Sequence, residues 1–377
     1  MIYKLTKIKI TKLISISCLL FLFTAFAYAQ TITNEKIENE EPKPSSQKKE
    51  FSFQIEPFLS IKNGNLGEYV FLTDPQKASD TGTMPENKLS YLDWQIKNEF
   101  YIGTKFTAEF KHLFAQIKLT SAIPQSSGII SDSDWKNIMS PTLSEHQAYK
   151  TNYSESDNYI NYDYSFSISG GWNFNPISTL KINPNLELEY SKIKFTAKGG
   201  WKSYGKLATD SNGNSFYYPW NDENTTHIDK GNMPSNAIVL EYMRETTSFW
   251  MGLDIGYIFN SKLTFKKDLA LNFGFKIAPY IYTFNQDDHP YRATKHFTDI
   301  CEGFFKTFKI SQDFSYFFTK DFALNLNITY SKLFTISGVT YSSNDKRTWS
   351  KSKDSQGGAS ASTFEISFGC KYNFLQF

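Results

Sequence analysis

The feature that constrains this chain most is a period of two. From Phe51 onward, apolar and polar residues alternate in long runs. Phe322, Leu324, Leu326, Ile328 and Tyr330 share one parity, while Ala323, Asn325, Asn327, Thr329 and Ser331 hold the other. Phe364, Ile366, Phe368, Cys370, Tyr372 and Phe374 repeat the pattern, as do Phe249, Met251, Leu253, Ile255, Tyr257 and Phe259. The same holds for Tyr162, Tyr164, Phe166 and Ile168, and for Leu269, Leu271, Phe273, Phe275 and Ile277. Successive side chains of an extended strand point to opposite faces, so this alternation predicts strands with one apolar and one polar face.

A soluble sandwich alternates too, with its apolar face inward. Three features favour a barrel in lipid. The apolar parity is rich in Phe and Tyr, of which the chain has 34 and 23. The last strand runs nearly to Phe377. Connections alternate between short (near 103–105, 175–179, 260–268 and 319–321) and long and polar (near 73–88, 124–158, 200–236, 286–299 and 342–360). Short turns at one end and long loops at the other are the outer-membrane pattern. The segments count to ten. The expectation is therefore all-β: a ten-stranded antiparallel transmembrane β-barrel with long extracellular loops. Several strands, 237–259 among them, exceed the ~9–11 residues needed to cross a bilayer. The barrel is thus expected to rise above the membrane as a rim.

The beginning of the chain fits export. Lys4, Lys7, Lys9 and Lys12 precede an apolar stretch from Leu13 to Ala27, and Ala27-Tyr28-Ala29 forms a small-x-small cleavage site. Residues 1–29 read as a signal peptide, 30–50 as a charged, proline-containing disordered tail, and 51–377 as the barrel. Past residue 29 no apolar run is long enough for a transmembrane helix. Removing the leader removes four Lys and no acid, so 36 Lys and Arg face 38 Asp and Glu. That balance gives no reason to expect nucleic acid as a partner. Cys301 and Cys370, the only cysteines past the leader, do not make a disulfide scaffold.

Two short motifs could carry chemistry: Asp132-Ser133-Asp134-Trp135 and Asp287-Asp288-His289. Residues i and i+2 of an extended chain share a side, so Asp132 goes with Asp134, and Asp287 with His289. Facing each other, the pairs would make a hydrolytic site without metal. Asp287 would hold the imidazole, His289 would take a proton from water, and the two aspartates would share a proton and stabilise the oxyanion. Alone, either motif is more often a polar turn. No Gly-x-Ser-x-Gly, His-Glu-x-x-His or phosphate-binding glycine loop occurs. His112, His146, His227 and His296 have no Asp two positions before them and read as ordinary strand or loop residues.

In order, several blocks resemble the omptins, a family of ten-stranded outer-membrane endopeptidases. They are Gly-Glu-Tyr-Val-Phe-Leu at 67–72, Leu-Ser-Tyr-Leu-Asp-Trp at 89–94 and the Asp-x-Asp-Trp block at 132–135. Phe195 to Gly200, Asp287-Asp288-His289, and Gly369 to Phe374 continue the series. The resemblance implies that Asp132, Asp134, Asp287 and His289 are catalytic in an aspartic-type endopeptidase. It also implies that Glu68 receives a basic side chain before the bond cut. Asn285 falls where many members have a second acid, which implies a weaker basic preference. Further implications are peptide or protein substrates, a requirement for lipopolysaccharide but no cofactor, a monomer, and an outer-membrane location with the site facing outward. Two other functions compete: a barrel that no longer cleaves, acting as adhesin or receptor, and a passive pore. Inward charges such as Asp163, Glu187, Glu189 and Lys276 are expected to plug the lumen and disfavour the pore.

Overall fold

The computed structural model describes residues 51–73, 88–136, 150–177, 179–213, 215–259, 269–291, 295–319 and 321–376. The expected signal peptide and tail lie outside these residues. The strands are β1 (Phe51–Leu72), β2 (Lys88–Phe110), β3 (Leu113–Ala122), β4 (Gln125–Asp134), β5 (Asn152–Trp172), β6 (Phe174–Ile177), β7 (Leu180–Gly205) and β8 (Leu207–Thr209). They continue with β9 (Ser215–Tyr217), β10 (Ile228–Asn232), β11 (Ile238–Phe259), β12 (Leu269–His289), β13 (Lys295–Gly303), β14 (Thr307–Phe317), β15 (Phe322–Ser343) and β16 (Ser350–Gln376). No helix is long and apolar enough to cross a membrane among the described residues.

Each long strand pairs antiparallel with the next in sequence, and β16 returns to pair with β1 (Glu68↔Ala359, Phe58↔Gly369). β3 and β4 lie end to end in one place between β2 and β5. β13 and β14 likewise share the place between β12 and β15. The result is a closed ring of ten strand positions, which leaves its long strands without a free edge.

Which parity faces in decides between the two readings of the alternation. Leu59, Ile61, Phe100, Ile102, Phe166, Leu253, Ile255, Phe273, Phe275, Ile366 and Phe368 are exposed. Glu56, Glu99, Asp163, Asn185, Glu187 and Asn325 are buried. The apolar face is outward, the reverse of a soluble sandwich. Inside, the buried charges are matched: Lys62 meets Asp163 at 2.9 Å, Lys276 meets Glu187 at 2.5 Å and Lys309 meets Glu189 at 2.5 Å. Towards the end of the ring that carries Asp132 and Asp287 the interior changes character. Leu66, Trp94, Ile130, Phe195, Val239 and Tyr242 form an apolar cluster there.

The boundaries differ from the sequence reading in places. Residues 103–105, expected as a turn, lie inside β2; the chain turns at Lys111, whose φ is 53°. Much of 124–158, 200–236, 286–299 and 342–360, expected as long loops, is strand. The strand ends there carry polar residues on both faces, so the alternation fades while the ladder continues, as in Asp132↔Ser154 and Asp287↔Phe297. The connection expected at 73–88 falls mostly outside the described residues.

Candidate active site

β4 carries the first acidic pair within its ladder. Asp132 pairs with Leu92 on one side and Ser154 on the other, and Leu92 pairs in turn with Glu68. Directly paired residues of an antiparallel ladder share a face. Glu68, Leu92, Asp132 and Ser154 therefore form one inward row. Asp134, two residues on, shares that face; its carboxylate accepts a hydrogen bond from Asn152 Nδ2 at 3.2 Å.

The second couple ends β12. Asp287 pairs with Tyr242 and Phe297, and both Asp287 and Tyr242 are buried. His289 Nε2 is hydrogen-bonded to Asp287 Oδ2. The imidazole also meets the Phe297 ring edge-on, with centroids 5.5 Å apart. The other carboxylate oxygen, Asp287 Oδ1, is buried with no hydrogen-bond partner among the described residues. A buried carboxylate oxygen without a partner is costly.

The walls bearing the two couples are tied together through the interior. The Trp94 indole of β2 stacks on Tyr242 of β11 (5.3 Å, 14°) and on Phe195 of β7 (5.4 Å, 24°). Trp94 sits two residues from Leu92, the partner of Asp132, and Tyr242 is the partner of Asp287. One aromatic stack thus spans the interior between β2 and β11, the strands that pair with β4 and β12. Trp94 Nε1 donates to Glu68 Oε2 at 3.2 Å, and the Tyr242 hydroxyl donates to Asn285 Oδ1 at 2.9 Å.

Three features went unread in the sequence. Arg244 is buried, and its guanidinium reaches from β11 to the β1–β16 seam, donating to Gly67 O at 2.8 Å and Ser360 O at 2.7 Å. Its parity with Tyr242 on β11 was the available signal for an inward position. His296, expected as an ordinary strand or loop residue, bonds through Nδ1 to Asp288 Oδ1 at 2.6 Å, while Lys346 reaches Asp288 Oδ2 at 2.7 Å. Burial pushes the Asp288 carboxyl up, but Lys346 and His296 outweigh it and hold the group below its ordinary range. Asp299 accepts from Thr340 Oγ1 at 2.6 Å. Burial, with the charge of Asp287 added, pushes Asp299 up to about 7. Burial also pushes Glu68 well above the carboxylate range, reinforced by Asp287 and Asp299. Among the described residues no group of three or more His, Cys, Asp or Glu is arranged to hold a metal ion.

The predicted catalytic residues therefore occupy two places: Asp132 and Asp134 on the inner face of β4, and Asp287 with His289 in contact on β12. A family model matches residues 61–374, and it is that of the omptins. The chain belongs to the omptin family. Omptin membership covers all six site residues read from the sequence and the whole ring except the first residues of β1 and the last of β16. The outer membrane protease OmpT from Escherichia coli has a similar structure, with a TM-score of 0.68 at 18% identity, over 88% of this chain and 100% of that one. At that identity the likeness speaks for the fold. The translocator domain of the autotransporter NalP from Neisseria meningitidis (TM-score 0.33, 7% identity, 95% and 98% covered) is far weaker. So is the outer membrane protein OprG from Pseudomonas aeruginosa (0.34, 8%, 86% and 97%), and neither carries an argument. No curated protein sequence gives a significant match.

Proposed function

We propose that this chain is an outer-membrane endopeptidase: a monomeric transmembrane β-barrel that cuts peptides or proteins near basic residues with a water activated at its outward-facing rim. The observation that carries the reading is the His289–Asp287 contact in an omptin-family ring, with Asp132 and Asp134 on the inner face of a facing wall. The outward apolar face supports a lipid environment, because lipid-facing and lumen-facing residues alternate in such barrels. The long strands, 22 residues in β1 and 27 in β16, supply a rim beyond the bilayer.

The chemistry follows from the ring orientation. With Nε2–H donated to Asp287, Nδ1 of His289 is the nitrogen that takes a proton from water, and Asp287 stabilises the imidazolium that forms. Asp132 and Asp134, two residues apart on one face of β4, hold and orient that water against the peptide carbonyl. Asp287 Oδ1 accepts from an N–H of the bound peptide, which relieves its unpaired state. The acids at this end of the ring draw positively charged segments to the mouth. Lipopolysaccharide acts as the activating lipid by settling the rim into its reactive geometry, and no cofactor takes part.

The test uses full-length protein refolded in detergent with lipopolysaccharide and a mixed peptide library read by mass spectrometry. Cleavage is expected, and His289→Ala and Asp132→Ala should each lower the rate by ~10²–10⁴ while folding persists. A folded wild type that cuts nothing would favour the adhesin or receptor reading instead. Unchanged turnover in His289→Ala would remove the mechanism.

A further inference from the structure

A peptide lying across the mouth sends a side chain flanking the cut bond down into the interior, one inward step below the two couples. On β12 that step is Asn285, on β4 it is Ile130, and on β11, opposite Asn285, it is Arg244. All three are buried. The space is not left to a ligand. The Arg244 guanidinium crosses it and spends its donors on this chain. Nε donates to Asn285 Oδ1 and the Tyr242 hydroxyl oxygen, each at 2.9 Å, and Nη2 to the same hydroxyl at 2.6 Å. Nη2 also donates to Gly67 O and Nη1 to Ser360 O. Asn285 is used on both ends, its amide donating to Thr283 Oγ1 at 3.1 Å. Beside Gly67 stands Glu68, whose oxygen already accepts from Trp94.

We propose that Arg244 is the specificity-determining residue of the site: from within the chain it fills the subsite a basic substrate side chain would enter, so the residue placed there must be short and uncharged. The claim rests on the peptidase reading for its substrate and on the geometry for its occupancy. A substrate Arg or Lys descending here meets a fixed guanidinium at close range, and like charges in a buried space repel strongly. It also finds its natural acceptors taken: Asn285 Oδ1 already receives two hydrogen bonds, and the carbonyls of Gly67 and Ser360 one each. An acidic side chain gains little, because Glu68 and Asp299 already lie within reach of the guanidinium charge. Basic residues are then favoured only at positions outside this subsite, where the acidic mouth can reach them through solvent.

Two measurements test it, one of which needs no catalysis. In the first, peptides identical except for the residue at the subsite (Ala, Ser, Leu, Lys, Arg) are offered to wild type and to Arg244→Ala. Wild type should cut the Ala and Ser peptides at least ~10-fold faster than Lys or Arg in kcat/KM. Arg244→Ala should gain at least ~10-fold on the Arg peptide. Each tenfold corresponds to about 1.4 kcal/mol. In the second, butylguanidinium binding is followed by tryptophan fluorescence, which Trp94 makes sensitive to this space. Arg244→Ala should bind it at millimolar concentration and wild type should not. Heat-modifiable gel migration checks that the variant is folded. If Arg244→Ala does not fold, Arg244→Ser, whose hydroxyl can still reach a neighbour, takes its place. Preferred cleavage after Arg by wild type, or equal butylguanidinium binding by both proteins, overturns the proposal. Guanidinium binding confined to the variant, with no peptide cut by either protein, supports the occupancy and sinks the peptidase reading instead.

Discussion

At the scale of single residues, Asp299 is the group whose charge and burial conflict most plainly. It packs so tightly on β16 that a Cβ at Gly357 would lie 2.0–2.5 Å from its carboxyl atoms. Its affinity for a proton rises on folding, from an ordinary value of 3.8 to about 7. An acid whose folded value is raised binds more protons when folded, so its contribution to stability is full below about 4 and is lost as pH rises towards 7. Wild type is therefore expected to need less denaturant to unfold at pH 8 than at pH 5. Asp299→Asn, which keeps the Thr340 contact without the ionisation, should flatten that slope. The measurement is the urea midpoint in detergent at both pH values, and an unchanged slope in the variant would assign the pH dependence to Glu68 or another buried acid. The same residues mark the limit of sequence reading. Asp132, Asp134, Asp287 and His289 were legible because i, i+2 spacing on a strand fixes a shared face whatever the fold. Arg244, Trp94 and Tyr242 were not, because what matters about them is a contact across the ring, which spacing along the chain does not encode.

At the scale of elements, the bend in β7 positions the site from below. Opposite Glu155 and Asp157 the ladder between β7 and β5 slips by a residue, and Gly199 and Gly200 there have φ of 56° and 97°. A Cβ on Gly200 would lie 1.8 Å from Glu155 O, a backbone atom that cannot swing aside. Below this bulge β7 carries Phe195, which supports Trp94; above it the strand continues to Gly205. Gly200→Ala is expected to destabilise the ring by ~2–4 kcal/mol through positive-φ strain and the clash together. It should also weaken peptide cleavage, because the Trp94 stack shifts. The urea midpoint reads the first effect and kcat/KM the second; a midpoint within experimental scatter of wild type would contradict the bulge geometry. The Gly-Gly pair and the strand leading to it were visible in the sequence. The slip was not, because an added residue is defined by which residues oppose each other across the ladder, and that depends on the partner strand as much as on β7 itself. Polar strand ends such as Gln286 to His289 were misread as loop for the converse reason: composition changed where the backbone did not.

At the scale of the whole molecule, the alternation of polar and apolar faces decides whether the ring conducts. Ten strands enclose more space than the eight whose interior side chains just fill, and far less than the sixteen to eighteen of an aqueous channel. What occupies that space then settles the matter. Lys105 and Glu56 meet at 3.2 Å, with Asn325 Nδ2 on the other Glu56 oxygen at 2.7 Å. Lys62, Asp163, Glu99 and Tyr101 form a second cluster, the Tyr101 hydroxyl donating to Glu99 at 2.5 Å. Glu187 and Glu189 form a third with Lys276 and Lys309, and Trp250 Nε1 donates to Glu189 at 2.9 Å. Above them the Trp94 stack and the Arg244 strut cross the lumen. Interlocked pairs of this kind are held by mutual attraction in a poorly solvated space, and opening a path would leave several charges unpaired at once. Purified protein offered to a planar bilayer should therefore insert through its outward apolar face, yet give no steady conductance steps. Glu187→Gln, Glu189→Gln and Lys309→Gln combined should loosen the third cluster and raise transient leak without opening a stable pore, because the other barriers remain. Steady, porin-sized conductance in wild type would mean that the interior contacts yield in the membrane, and the site would then sit over an open channel instead of a closed floor.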